Sequence, residues 1–264
     1  MSLCVDLKAG LDHEVYKHDA VKWVNEYSLL RDKAGNRCEL DYAQRQIFDP
    51  KNKRVILNCH RQYGKSTISS LLCLHTAIYS PRSLCLLVSP SLRQSSENFR
   101  KVLDALSLGD RPELEEDTKL SLKLSNGSRI VALPGSQRTI RGFSAPDTIV
   151  IDEDGQAEDE LFEGVYPMLT SNPSGRMILA STPWLPSGHF HKIWTEGVGW
   201  LKIKIDCYEN PRLSAETIAE AKLQLSPQAF ARDYLCQFIE PEEQIFSSEL
   251  FKSLSNLNIA ALKI

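Results

Sequence analysis

Two observations in this sequence predict an α/β fold with a largely parallel sheet. Short apolar runs of aliphatic and β-branched residues recur along the chain (VIL at 55–57, LCLLV at 84–88, TIVI at 148–151, MILA at 177–180), and segments of helical period separate them. Three of the runs are followed by polar groups: GKST at 64–67, DE at 152–153 and ST at 181–182. Parallel sheets place their ligand sites at the carboxyl ends of strands, where these groups fall.

At 264 residues, with 42% hydrophobic and 25% charged content, the chain can build one domain with a sizeable core. No apolar run approaches the roughly 18 residues of a membrane span. The first residues, MSLCVDLKAGLDHE, lack a basic region followed by an apolar one, so a cytoplasmic protein without a membrane partner is expected. The seven cysteines are scattered and never in C-x-x-C spacing, which indicates neither a disulfide framework nor a zinc site; Cys73 and Cys85 read as small core residues. A net charge of −3 argues against a broad basic face. The acids concentrate at 110–117 and 152–163, however, which leaves room for a local basic patch.

Taken in order, residues 12–30 set Val15, Val21, Trp23, Val24, Tyr27, Leu29 and Leu30 at mostly helical spacing, an amphipathic helix ahead of the first strand. A short helix over 40–48 carries Gln44 and Gln46, whose amides can both donate to and accept from an adenine edge. The stretch RVILNCHRQYGKST at 54–67 reads as strand, loop and helix. In a phosphate-binding loop the backbone amides curl around a polyphosphate, Lys65 reaches the terminal phosphates and Ser66 ligates Mg²⁺, while the helix over 65–79 turns its positive end to the anion. The usual first glycine falls at Cys59, so the stretch alone also reads as a helix start with a solvated lysine.

Ser80-Pro81 breaks the chain before the strand at 83–89. The helix over 90–106 turns Phe99, Val102, Leu103 and Leu106 inward and leaves Arg93, Ser96 and Arg100 on another face with Lys101 beside it. That face suits DNA phosphates, or is simply solvated. LSLKLSNGSRIVAL at 120–133 is a hairpin turning at Asn126-Gly127, and the loop over 134–145 bears Arg138 and Arg141. The strand at 148–151 ends in Asp152-Glu153, after which Asp154 and the acids at 158–163 read as the polar face of a helix. The strand at 177–180 ends in Ser181-Thr182-Pro183. LKIKI at 201–205 alternates as an edge or half-buried strand, and helices begin near Ser214 and at Ser226-Pro227.

Two acids at a strand end after a phosphate loop supply what nucleotide hydrolysis needs: Asp152 to hold Mg²⁺ and Glu153 to orient and polarise the attacking water. Both motifs occur in the right order on the right elements, which predicts a P-loop NTPase. The resemblance then becomes specific. RQYGKST at 61–67, with an arginine inside the loop and no first glycine, resembles the large terminase subunit of tailed bacteriophages, the motor that packages DNA into procapsids. The order DYAQRQIFD, the loop, LLVSPSLRQSSENF, LPGSQRTIRGF, IVIDED and ILASTP is similar to that family's ATPase domain over about residues 40–240.

The resemblance implies a RecA-like (ASCE) fold over 1–240, N-terminal helices included, with 241–264 a linker toward a nuclease domain that this chain lacks. It implies Gln44 at adenine, with Gln46 as the fallback register; Gln62, Gly64, Lys65, Ser66 and Thr67 around the phosphates; and Arg61 as the in-loop arginine that senses the γ phosphate. Asp152 and Glu153 match the Walker B pair, Ser181 and Thr182 the motif that couples hydrolysis to movement, and Arg141, or Arg138 in the other register, the arginine that completes a neighbour's site. The implied cofactors are ATP and Mg²⁺. The implied partners are double-stranded DNA, a homo-oligomeric ring on the procapsid portal and the small terminase subunit, in the cytoplasm of the infected host. Two other classes compete: the first RecA-like domain of a helicase or restriction translocase, which needs a second domain, and a non-hydrolysing nucleotide-gated scaffold, against which Glu153 argues.

Overall fold

The computed structural model describes residues 13–27, 29–32, 35–108, 112–135, 140 and 142–240. Helices α1 (Ala20–Glu26) and α2 (Tyr42–Phe48) precede β1 (Arg54–Cys59), α3 (Lys65–Tyr79), β2 (Leu84–Ser89) and α4 (Leu92–Leu108). After them come β3 (Leu114–Asp117), β4 (Ser121–Leu124), β5 (Arg129–Pro134), β6 (Thr148–Asp152), α5 (Asp159–Val165), β7 (Arg176–Ser181), α6 (Gly188–Glu196), β8 (Leu201–Ile205), α7 (Ala215–Gln224) and α8 (Pro227–Asp233). The strands form one eight-stranded sheet in the order β3-β4-β5-β2-β6-β7-β1-β8. From β5 to β8 every pairing is parallel, and β3, β4 and β5 pair antiparallel at one edge.

The central strands are continuous apolar runs because both faces of the sheet are covered. Successive side chains point to opposite faces. Val55, Leu57 and Cys59 of β1, with Cys85 and Leu87 of β2, therefore join a core shared with α1 to α4. Ile56, Leu86, Val88, Ile149 and Ile151 join a second core against α5 and α6. Among the described residues no helix is long and apolar enough to cross a membrane.

Three local expectations change. The helix over 12–30 is broken at Asp19, whose carboxylate accepts from the Lys22 amide at 2.8 Å and starts α1 afresh after a helical segment at 13–18. The acidic stretch at 110–117 contains a strand, β3, paired with β4 and tied by a Glu115–Lys123 ion pair; its outward charges masked the alternation. The hairpin turn is longer than two residues. Gly127 stands at φ +83°, its amide donates to Leu124 O at 2.9 Å, and the Asn126 amide side chain donates to Ala77 O at 2.9 Å, which ties the turn to the end of α3.

Arg176, at the start of β7, anchors the glutamine helix to the sheet. Its guanidinium donates to Ile47 O at the end of α2 and, at 3.2 Å each, to Asp49 O and Asn52 O. Burial pulls its pKa down to about 10. A cation on the last carbonyls of a helix is favoured by the dipole as well as by the hydrogen bonds. Arg176→Ala should therefore destabilise the domain by about 1.5–3 kcal/mol, the range for hydrogen bonds to a charged group. The midpoint of urea unfolding checks this, and an unchanged midpoint counts against the anchor.

Candidate active site

The loop after β1 is built without the missing glycine because it begins one residue later than the motif suggests. Cys59 stays in the strand, paired with Ile205 of β8, with its thiol fully buried in the core; burial pushes its pKa up to about 12. The reversal is made instead at Gln62 (φ 65°) and Gly64 (φ 96°), both left-handed, a conformation that favours glycine at the second position. Gly64 then precedes the first turn of α3, whose free amides and dipole face the loop.

Lys65 is 6% exposed, and its Nζ donates to His60 O at 3.3 Å and to Thr182 Oγ1 at 3.2 Å. It thus links the phosphate loop to the end of β7. Ser66 and Thr67, in the same first turn, are half-buried. Gln44 is buried against the loop, with its Nε2 3.9 Å from where a Cβ on Gly64 would stand, and its Oε1 closes a capping box by accepting from the Asp41 amide at 3.1 Å. Gln46 instead engages Asn52, beyond the end of α2. Between the two registers, Gln44 is the one at the loop.

Asp152, at the end of β6, lies beside Ala180 of β7, so the two strand ends carrying acid and hydroxyl are neighbours. Its Oδ2 accepts from Asn98 Nδ2 at 2.8 Å, whereas its Oδ1 is buried with no hydrogen-bond partner. Among the described residues no three His, Cys, Asp or Glu side chains form a cation cage. Mg²⁺ is usually held without one, by a carboxylate and a hydroxyl completed by waters and phosphates, and the open Oδ1 with Ser66 in the facing turn fits that donor set.

Glu153 occupies the left-handed region at φ 55°, ψ 37°, an uncommon place for a residue with a long side chain. Burial raises its pKa; Lys65 and Arg61 pull the other way, as does a backbone hydrogen bond from Thr182. A carboxylate so placed can hold and polarise a water. The turn behind it packs on the end of β7 so closely that a Cβ at Gly155 would stand 2.9 Å from Ser181 Oγ. Ser181 and Thr182 are both buried, with Ser181 Oγ donating to Thr182 O at 2.6 Å.

Other expected residues sit differently. Arg61 Nε is 3.1 Å from Asp233 Oδ2 at the end of α8, with its side chain 55% exposed over the loop. Arg93, Ser96 and Arg100 form the exposed face of α4, Arg100 pairing with Glu97 at 3.6 Å. Lys101 is not part of that face. It follows Asn98 by three positions, is half-buried, and lies where the charges of Asp152, Glu97, Lys65 and Glu153 bear on it, with burial lowering its pKa. Arg138 and Arg141 lie outside the described residues, as do 241–264.

Several functional contacts were not foreseen. Asp41 accepts from Tyr63 Oη at 2.6 Å and faces Arg212 at 3.1 Å, and Arg212 in turn donates to Tyr63 O, clamping the loop from outside. Asp154, expected on a polar helix face, is fully buried because a 3₁₀ turn carries it inward onto His189. That imidazole lies 2.8 Å from both Asp154 and Asp159, and the two carboxylates raise its pKa against the opposing effect of burial. A cleft of about 770 Å³ beside His189, lined by Phe162, Lys192 and Trp200 among others, contains none of the phosphate-loop residues.

Residues 57–253 match the family model described as terminase large subunit, T4likevirus-type, N-terminal. The large terminase subunit of Escherichia phage T5 is 24% identical over 210 residues, covering 76% of this chain and 48% of that protein, so the chain spans about half the length of the curated relative. The Thermus phage P74-26 large terminase ATPase domain superposes with a TM-score of 0.66 at 17% identity, over 76% of this chain and 94% of that one. The HK97 bacteriophage large terminase gives 0.70 at 16% identity, over 84% of this chain and 55% of that one. At such identities the likeness establishes the RecA-like P-loop fold.

Proposed function

The chain belongs to the terminase large-subunit family, and on that footing we propose that it is the family's ATP-hydrolysing motor domain, which drives double-stranded DNA into a procapsid. The observation that carries the reading is the meeting of Lys65, Asp152, Glu153 and Thr182 at the carboxyl ends of three adjacent strands, with Asp152 Oδ1 left open. Lys65 and the loop amides bind the β and γ phosphates, and Gln44 lies on the adenine side. Ser66 and Asp152 hold Mg²⁺, which when bound neutralises phosphate charge. Glu153 orients the attacking water. Thr182 joins Lys65 to β7, so a change at the phosphates reaches Ser181 and Thr182 directly.

Arg61 and Arg141 are the cations proposed for the charge that develops on the transferred phosphoryl group, Arg61 within the subunit and Arg141 toward a neighbour. The proposed partners are duplex DNA, further copies of the chain in a ring on the portal, and the small terminase subunit, in the host cytoplasm. The exposed Arg93 and Arg100 on α4 are proposed to touch DNA phosphates. The helicase assignment is weaker, since the family match is to terminases.

Phosphate release measured against protein concentration, with and without duplex DNA, tests the motor. Turnover per chain should rise with concentration and with DNA, and the double variant Arg93→Ala/Arg100→Ala should flatten the salt dependence of DNA binding while leaving ATP binding intact. Turnover strictly linear in protein and indifferent to DNA overturns the motor reading. Absent turnover with intact ATP binding favours the non-hydrolysing scaffold.

A further inference from the structure

Asn98 stands at the junction of three elements that carry the site. It is 5% exposed, and its amide nitrogen gives its two protons to two acceptors, Ser89 Oγ at 2.9 Å and Asp152 Oδ2 at 2.8 Å. Its backbone carbonyl lies 3.0 Å from Ser70 Oγ, and that hydroxyl is also 2.8 Å from Ser66 O in the first turn of α3. Ser66 and Asp152, the two residues proposed to hold Mg²⁺, are therefore joined through Asn98 and Ser70 by side chains that are themselves buried.

We infer that Asn98 is a positioning residue for the metal site: it fixes the Asp152 carboxylate by Oδ2 so that Oδ1 stays turned to the cation. The inference rests on the nucleotide reading above and deepens it. A carboxylate free to rotate spreads its charge over several orientations and can satisfy itself on nearby donors, whereas a donor on one oxygen leaves a single oriented acceptor. The same helix presents Arg93 and Arg100 to solvent on its other side, so a movement of α4 also moves the donor that sets Asp152.

Asn98→Ala removes the donor, and Asn98→Asp keeps the volume but replaces it with a second carboxylate. Outer-shell partners of this kind typically contribute about 10–100-fold in metal affinity. In Asn98→Ala the Mg²⁺ concentration for half-maximal turnover should rise about tenfold or more. ADP affinity in chelator should stay within about twofold of wild type, while the gain in ADP affinity on adding Mg²⁺ should be largely lost. In Asn98→Asp the donor to Asp152 Oδ2 is lost as well, so the gain in ADP affinity on adding Mg²⁺ should again be largely lost. A merely structural role does not move the Mg²⁺ requirement. If Asn98→Ala does not fold, Asn98→Asp and Ser89→Ala, the latter with a smaller shift of the same sign, carry the test. Variants whose ADP binding responds to Mg²⁺ as wild type does overturn the role of Asn98 alone. A wild-type chain whose nucleotide affinity ignores Mg²⁺ overturns the nucleotide reading and this role together.

Discussion

Lys65→Ala is expected to abolish tight ATP binding, whereas Glu153→Gln is expected to bind ATP normally and not turn it over. The two residues do different work within one cluster. Lys65 is buried, with its ammonium held between His60 O and Thr182 Oγ1, and its loss removes the one charge in the first turn of α3 that can meet the phosphates. A charge-assisted contact in a water-poor site is worth on the order of 3 kcal/mol, so ATP affinity should fall by about 100-fold or more. Glu153→Gln preserves length and the left-handed turn but removes the negative charge, which burial disfavours and which Lys65 and Arg61 help to hold. Positioned acid–base groups typically contribute about 10²–10⁴-fold, so turnover should drop by that order with binding unchanged. Calorimetric titration reads the first effect and phosphate release the second. Near-normal turnover in Glu153→Gln would mean that another residue orients the water.

What could be read from the residues, and what could not, follows from the range of the interactions. β1, β2, β6 and β7 are legible because strands buried on both faces must be apolar throughout, and their polar ends mark the site by simple adjacency in sequence. The Asp41–Gln44 capping box has a local signature, an acid followed three residues later by glutamine, which gives Gln44 a structural duty beside its place at the loop. β3 is not legible because it has one partner strand and outward charges, which read as a solvated acidic run. Asp154 and His189 are 35 residues apart, and Asn98 and Asp152 are 54 apart. Pairs so distant leave no periodicity behind, and an asparagine inside an amphipathic helix looks like any polar residue until the fold sets an aspartate against it. Lys101 illustrates the same limit: one step of 100° past Arg100 takes it from the solvent face to the side where the charges of Asp152 and Glu153 bear on it.

Loss of the arginine that meets the transferred phosphoryl group should cost about 10³–10⁵-fold in turnover, and two candidates compete for that place. Arg61 is in the loop, half-exposed, and its guanidinium is engaged by Asp233, which also accepts from Arg232 at 2.7 Å. Because Arg232 stays with Asp233, Arg61 can leave that carboxylate without stranding a buried charge, so a cis role needs only a side-chain swing. Arg61→Ala should then be nearly inactive at every protein concentration. Asp233→Asn, which weakens the hold on Arg61, should not lower turnover by a comparable factor. Arg141 is the trans candidate. If it acts across an interface, Arg141→Ala alone should be nearly inactive yet bind ATP, and mixing it with Lys65→Ala should restore turnover where an intact pocket meets an intact arginine. The Lys65→Ala chain supplies the arginine and the Arg141→Ala chain the pocket, so recovery should pass through a maximum as the mixing ratio is varied. Recovery of that form assigns the trans role to Arg141. A flat, inactive series with assembly shown independently assigns the cation to Arg61, acting within the subunit whose loop contains it.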